Sequence, residues 1–363
     1  MSSIPTQQKR INLIRDIIKK YECDAFLSFC PIDNRYLSGF SGSTSVVLIT
    51  RENCFFLSDF RYKEQTSNEV FNFSISIVSG NLDNKLLNIV KSNKIKKIAV
   101  NTEKISLRLS EDLRKKGRFE LIDAREELSQ LRILKDTNEI DNIRQACKIT
   151  EMSVFHCTSF LKEGVTEREI SARIDYEFRI NGADGSAFDT IVLFGKNSSL
   201  PHGKPGDKKL SIGDIVLIDC GCLYKGYCSD LTRTFVYGAI PGTWFTEIYE
   251  TVLSAQINAL KALTPEKKTN EIDHIARRYI SGKGMGTYFG HGLGHGVGME
   301  IHEPPRLNTD SSTTLKEGFV ITIEPGIYIP GKGGVRIEDT VLITKDGYER
   351  LTTSDKYLKV LPL

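Results

Sequence analysis

The sequence predicts an α+β protein of two domains: a smaller α/β domain, then a larger one built from a duplicated α+β unit. Three observations point there. Over the first ~120 residues, short apolar runs alternate with helical or turn segments, as in an α/β domain. Two long helical patterns follow from Thr137. The stretch Leu210-Ser-Ile-Gly-Asp-Ile-Val-Leu-Ile-Asp219-Cys-Gly221 then returns as Leu315-Lys-Glu-Gly-Phe-Val-Ile-Thr-Ile-Glu324-Pro-Gly326. Each copy is an apolar strand that ends on a carboxylate.

The elements follow in order. Ile11, Ile14, Ile17 and Ile18 recur at helical spacing and predict a helix over 8–22. Strands are expected at 25–29, 45–50, 54–57, 73–78 and 97–100, with a helix over 82–92. The charged stretch 123–141, rich in Glu, Leu, Arg and Lys, predicts a connecting helix. The implied organisation is an N-terminal domain at 1–125, a connecting helix at 126–140 and a second domain at 141–363. Helices are expected over 139–161 and 166–181, the second opened by the capping signal Thr166-Glu-Arg-Glu169. Strands at 190–193 and 215–218, a hairpin through Tyr224-Lys-Gly226, and helices over 245–263 and 270–281 complete the pattern.

A chain of 363 residues, 40% hydrophobic and 26% charged, can bury two sizeable cores. Its formal charge of +3 is too small and too dispersed to imply a nucleic-acid partner. No apolar run approaches the ~18 residues of a membrane span. The start of the chain runs into an amphipathic helix instead of a signal-peptide core. A cytoplasmic protein without a membrane partner is expected. The eight cysteines form no evenly spaced framework, so reduced thiols are expected. Cys220, Cys222 and Cys228 invite a zinc reading. On a strand, however, Cys220 and Cys222 face away from Asp219, and no fourth ligand lies nearby in sequence.

Asp230 follows Asp219, and Glu338 follows Glu324. The odd separation of Asp219 and Asp230 across a two-residue turn predicts that they lie directly opposite, with Cβ atoms roughly 4.5–5.5 Å apart. Taken alone, they read more readily as turn and cap residues. The repeat argues against that, because Glu324 and Glu338 occupy the corresponding places. Glu324 ends the apolar strand 319–323, and Glu338 sits within an apolar strand over 335–343. Acidic groups so placed need a partner. Arg336 could be one, but four crowded carboxylates repel one another unless cations hold them together. The pattern predicts a two-metal site.

His291 and His295 have the spacing of helical zinc sites, but the glycines at 290, 292, 294, 296 and 298 would break a helix. An extended segment is expected, with the backbone passing close to something bound. One histidine among four carboxylates is a hard, oxygen-rich set that suits Mn²⁺ or Mg²⁺, with room for Co²⁺, Zn²⁺ or Fe²⁺. His202 and His302 lie at loop or strand ends and are functional candidates. His156 and His274 fall in helical patterns and read as structural or surface residues.

Together these motifs resemble the Xaa-Pro peptidases, aminopeptidase P and prolidase. The motifs are Ser229-Asp-Leu-Thr-Arg-Thr234, Gly290-His-Gly-Leu-Gly-His-Gly-Val-Gly-Met-Glu-Ile-His-Glu303, Ile323-Glu-Pro-Gly-Ile-Tyr328 and Gly333-Gly-Val-Arg-Ile-Glu-Asp339. Tyr36-Leu-Ser-Gly-Phe-Ser-Gly-Ser43 and Leu57-Ser-Asp-Phe-Arg-Tyr62 extend the likeness to the N-terminal domain. The resemblance implies an α+β pita-bread catalytic domain, creatinase/aminopeptidase-like, behind a smaller creatinase-like α/β domain. It implies that Asp219, Asp230, His295, Glu324 and Glu338 hold two divalent ions per subunit, Mn²⁺ foremost. His202, His291 and His302 match substrate-side histidines of that family, and Arg336 and Tyr328 match residues behind the ligands.

The expected reaction is metal-assisted hydrolysis of the bond between an N-terminal residue and proline. Glu324 would carry the proton, His302 and His202 would stabilise the oxyanion, and His291 would line the proline pocket. The likeness of 40–43 and 59–62 to short bacterial aminopeptidase P chains favours an Xaa-Pro aminopeptidase over a prolidase restricted to dipeptides. Methionine aminopeptidase ordinarily lacks the N-terminal domain, and a non-catalytic binding module would not keep the whole ligand set. Peptides with proline second and a homodimeric assembly complete the expectation.

Overall fold

In the computed structural model, residues 6–363 are described, and the chain divides into two compact units between Leu131 and Arg132. The first unit runs α1 (Thr6–Lys20), β1 (Ala25–Ser28), α2 (Pro31–Ser38), β2 (Val46–Thr50), β3 (Cys54–Asp59), α3 (Lys63–Glu69), β4 (Ser74–Val78), α4 (Leu82–Ser92), β5 (Lys97–Val100), α5 (Leu107–Gly117), β6 (Glu120–Asp123) and α6 (Arg125–Gln130). Its sheet has the order β4-β3-β2-β1-β5-β6 and is mixed: β2 is antiparallel to both neighbours, while the other pairs are parallel. One core joins Leu27, Leu48 and Leu57 of the strands to Leu86, Val90 and Leu113 of the helices.

A single connecting helix over 126–140 does not form. Helix α6 stops at Gln130, and the next helix begins at Thr137. Between them Leu134 bridges Phe319, the Lys135 amide donates to Gly318 O at 3.0 Å, and Asp136 caps the new helix. Pairing to a distant strand outweighs the local helical propensity of the segment.

The second unit begins α7 (Thr137–Thr158), α8 (Glu167–Ile180), β7 (Gly185–Ser186), β8 (Ile191–Phe194), β9 (Ile215–Cys220), β10 (Cys222–Tyr224), β11 (Tyr227–Cys228) and β12 (Leu231–Tyr237). It continues α9 (Thr243–Lys261), α10 (Thr269–Gly282), β13 (Gly294–Gly296), β14 (Glu303–Leu307), β15 (Val320–Ile323), β16 (Gly326–Ile329), β17 (Gly333–Arg336), β18 (Asp339–Thr344), β19 (Gly347–Arg350) and β20 (Val360–Leu361). Both α7 and α8 open on full capping boxes, Asp136 with Glu139 and Thr166 with Glu169. Each box satisfies amides that the helix cannot, worth about 1 kcal/mol.

The duplication is visible in the packing. In the first half, Val216, Ile218 and Cys220 of β9 share a core with Ile149, Ile170, Ile174 and Phe178 of α7 and α8. In the second, Ile321, Ile323, Val341 and Ile343 of β15 and β18 share one with Ile248, Val252, Ile272 and Ala276 of α9 and α10. Side chains alternate along a strand, so Asp219 in one half, and Glu324 and Glu338 next to the strand ends in the other, fall on the opposite parity and are turned away from the helices. The carboxylates therefore lie between the two sheets.

Candidate metal centre

Each repeat copy is a two-stranded ribbon that breaks within two residues of its carboxylates. In the first, β9 and β12 are interrupted at Gly221 and Asp230 by the hairpin β10–β11. In the second, β15 and β18 are interrupted at Glu324 and at Ile337-Glu338 by the hairpin β16–β17. The continuous strand expected over 335–343 is thus two strands of different sheets, with Glu338 at the break. The break puts the Glu338 amide within reach of Thr232 O in the other half, 3.2 Å away.

Asp219 and Asp230 are not directly opposite. Lys225 and Gly226, with φ of 48° and 82°, form a two-residue turn with left-handed backbone that pairs Tyr224 with Tyr227. The same register pairs Asp219 with Thr232, so Asp230 is a diagonal neighbour on the same face. In the second copy the register runs from Ile323↔Asp339 to Gly326↔Arg336, which sets Glu324 across from Glu338.

The four carboxylates meet around His295. Its Nε2 lies 3.3 Å from Glu324 Oε1 and 3.6 Å from Asp230 Oδ2. Asp230, His295 and Glu338 each offer a ligand atom, all within 4.8 Å of one another. As expected, the glycine-rich segment is extended: His295 sits in β13, its amide held by Thr322 Oγ1 at 3.1 Å. Arg336 donates to Asp219 Oδ2, to Thr232 Oγ1 at 3.0 Å and to the Tyr328 hydroxyl at 2.7 Å. Tyr328 in turn meets His291 Nε2 at 3.1 Å. The His295 and His302 rings stand edge to face, 4.4 Å between centroids. His202 is exposed and makes no hydrogen bond among the described residues, yet it is near enough to act on His291 and His302.

Electrostatics show a site that wants cations. Burial, then Glu338 and Asp219, push the Asp230 carboxyl well above the usual range; burial, then Glu324 and Asp219, do the same for Glu338. Burial would also raise Glu324, but the hydrogen bond and charge of His295 outweigh it and bring it down to about 2. Burial depresses both His291 and His302, which favours neutral imidazoles. Glu338 Oε2 accepts from Thr232 Oγ1 at 2.7 Å, while its Oε1 is buried with no hydrogen-bond partner. A buried carboxylate oxygen left bare is costly, and a divalent ion among these donors would satisfy it. The residues fit such an ion.

Three contributors escaped the sequence reading. Thr232 bonds both Glu338 and Arg336, and Thr322 bonds both Glu324 and the His295 amide. Threonines at the carboxylate end of wholly buried strands were the available signal. The third is Asp339, beside Glu338 and fully buried. Its oxygens accept from Arg233 at 2.8 Å, Lys356 at 2.7 Å, Gln256 at 2.9 Å and Arg350 at 3.1 Å. Its partners come from far along the chain, so no local pattern marks it. Cys220 and Cys222 belong to the apolar core under α7 and α8.

A buried acidic cluster around one imidazole, carried on two copies of one ribbon, defines the class as a metal-dependent hydrolase. The chain belongs to metallopeptidase family M24, whose pattern matches residues 141–345, with a creatinase/prolidase N-terminal domain over residues 10–134. An Xaa-Pro dipeptidase of Pyrococcus furiosus is 47% identical over 74% of this chain and 79% of its own length. A solved structure of an Xaa-Pro dipeptidase from Bacillus anthracis is 37% identical, with a TM-score of 0.95 over 98% of this chain and all of its own. That of an X-Pro aminopeptidase from Thermotoga maritima is 38% identical, with a TM-score of 0.90 over 95% of this chain and 99% of its own.

Proposed function

We propose that the protein is an Xaa-Pro dipeptidase, hydrolysing the bond between an N-terminal residue and a C-terminal proline. The observation that carries the reading is the meeting of Asp230, His295 and Glu338 from both repeat copies within 4.8 Å, with Asp219 and Glu324 beside them. These five residues would hold two divalent ions, Mn²⁺ foremost on the hardness of the donors. Bound there, the ions would supply the acidity that makes water a nucleophile near neutral pH and would polarise the scissile carbonyl.

The chain's own residues do the rest. Glu324, 3.3 Å from His295 at the meeting point of the carboxylates, would take a proton from water and return it to the leaving proline nitrogen. His302, edge to face with His295, and His202 would donate to the developing oxyanion, and His291 would wall the site beside Tyr328. Arg336 fixes Asp219 and Tyr328 together.

The sequence motifs favoured an aminopeptidase. The names of the relatives favour a dipeptidase, and so does Arg306. This arginine lies across from His295 in the β13–β14 pair, close enough to His302 to help depress its pKa. No carboxylate among the described residues engages it. Its guanidinium would suit the carboxylate of a dipeptide. The protein is expected to act in the cytoplasm as a homodimer. No helix among the described residues is long and apolar enough to cross a membrane.

The test compares Mn²⁺-loaded protein on Ala-Pro, Ala-Pro-Ala and Met-Ala-Ser. Cleavage of Ala-Pro well above the others is expected, with Arg306→Met raising KM for Ala-Pro. Preference for Ala-Pro-Ala would restore the aminopeptidase, and cleavage of Met-Ala-Ser alone would overturn the proline reading.

A further inference from the structure

The segment 289–293 presents His291 to the site, yet its own sequence cannot hold it there. Gly290 and Gly292 carry no side chains, and β13 begins only at Gly294, so the stretch has no strand partner. Glycine-rich backbone loses the most entropy when fixed. Something outside the segment must order it.

That something is an ion pair on α10. Asp273, fully buried, and Arg277, one turn later, form two parallel bonds: Nε to Oδ2 and Nη2 to Oδ1, each 2.8 Å. The remaining capacity of both groups goes to alternate backbone positions of the segment. Arg277 Nη1 donates to Phe289 O at 3.1 Å, Arg277 Nη2 donates to His291 O at 2.8 Å, and Asp273 Oδ1 accepts the Leu293 amide at 3.1 Å. The guanidinium also covers the Phe289 ring at 4.4 Å, and that ring stands edge-on to His291 at 5.1 Å. On the far side, Leu293 O accepts the Glu324 amide at 2.8 Å. The pair thus does for this backbone what a neighbouring strand does elsewhere.

We infer that Arg277, oriented by Asp273, is a positioning residue for His291: the ion pair acts as a surrogate strand edge that holds the histidine's backbone in the substrate site. The inference rests on the dipeptidase reading for its kinetic test alone. A planar fork able to span a carboxylate and two carbonyls is what the role requires, and lysine cannot supply it.

Arg277→Met is expected to raise KM for Ala-Pro roughly tenfold with kcat changed less than about twofold, the pattern of lost substrate binding. Metal content should stay at the wild-type value. Because Arg277→Met leaves Asp273 unpaired, Arg277→Lys is measured beside it; it keeps the charge, and the same direction of change is expected. In the His291→Ala background either substitution should add little, since residues acting as one unit are non-additive. A full additional rise in that background, or a loss that follows metal content, would overturn the inference. Imidazole ¹⁵N spectra of Arg277→Lys separate this result from the fate of the substrate reading. Movement of the His291 ring signals with His156 and His274 unmoved supports the clamp, and unmoved His291 signals reject it, whichever peptide the protein cleaves.

Discussion

Glu324 shows how burial and a neighbour decide a residue's chemistry. Four carboxylates share one site, yet Asp219, Asp230 and Glu338 are pushed up by burial and like charge while Glu324 is held down to about 2 by His295. Glu324→Gln keeps the shape but cannot accept a proton. It should lower kcat on Ala-Pro about 10²–10⁴-fold, read at saturating Mn²⁺ so that weakened metal binding is excluded. A second residue-scale case is Lys135. Its side chain is 1% exposed and meets Glu303, the neighbour of His302 in sequence, at 3.2 Å, with Arg132 on the same carboxylate at 3.4 Å. Removing one partner of a buried pair costs about 3–5 kcal/mol, whereas an exposed pair is worth under about 1 kcal/mol. Chemical unfolding of Lys135→Met should therefore show a far larger loss than that of Glu349→Gln, which breaks the exposed pair with Arg144.

Among elements, regular ones were legible and junctions were not. The helices over 139–161 and 166–181 declared themselves by apolar spacing and capping residues, and α7 and α8 stand there. The register of Asp219 did not, because it depends on whether the turn occupies 224–225 or 225–226. The positive φ of Lys225 decides that, and the residue type does not announce it. The break at Glu338 was hidden for a similar reason. A run with apolar residues at 335, 337 and 341–343 reads as one strand whether or not its two ends belong to different sheets. The first unit supplies a pH test at this scale. Hydrogen bonds from Lys20 and Tyr21 hold the Glu127 carboxyl of α6 below its usual range. A depressed folded-state pKa means stability present above the unfolded value and lost as pH falls through the folded one. The gap in thermal midpoint between wild type and Glu127→Gln should be open at pH 7 and close progressively below pH ~4.

At the scale of the whole molecule, duplication explains why the site exists. On the proposed reading, one ribbon with a pair of carboxylates beside its break would supply half a metal centre. Two such ribbons, each backed by its own pair of helices and its own core, bring the halves face to face. The sequence revealed the four carboxylates through the repeat itself. It could not reveal that Thr232, Arg336 and Asp339 tie one half to the other, since those contacts join residues about a hundred positions apart. The claim that both copies serve one dinuclear site is tested most directly by metal content. Chelated protein is dialysed against Mn²⁺, and bound metal per chain is measured for wild type and for Glu338→Gln, which keeps the side chain's shape without its charge. Two ions per wild-type chain and at most one in the variant are expected. A wild-type chain that binds none, or a variant that binds as much as wild type, would contradict it.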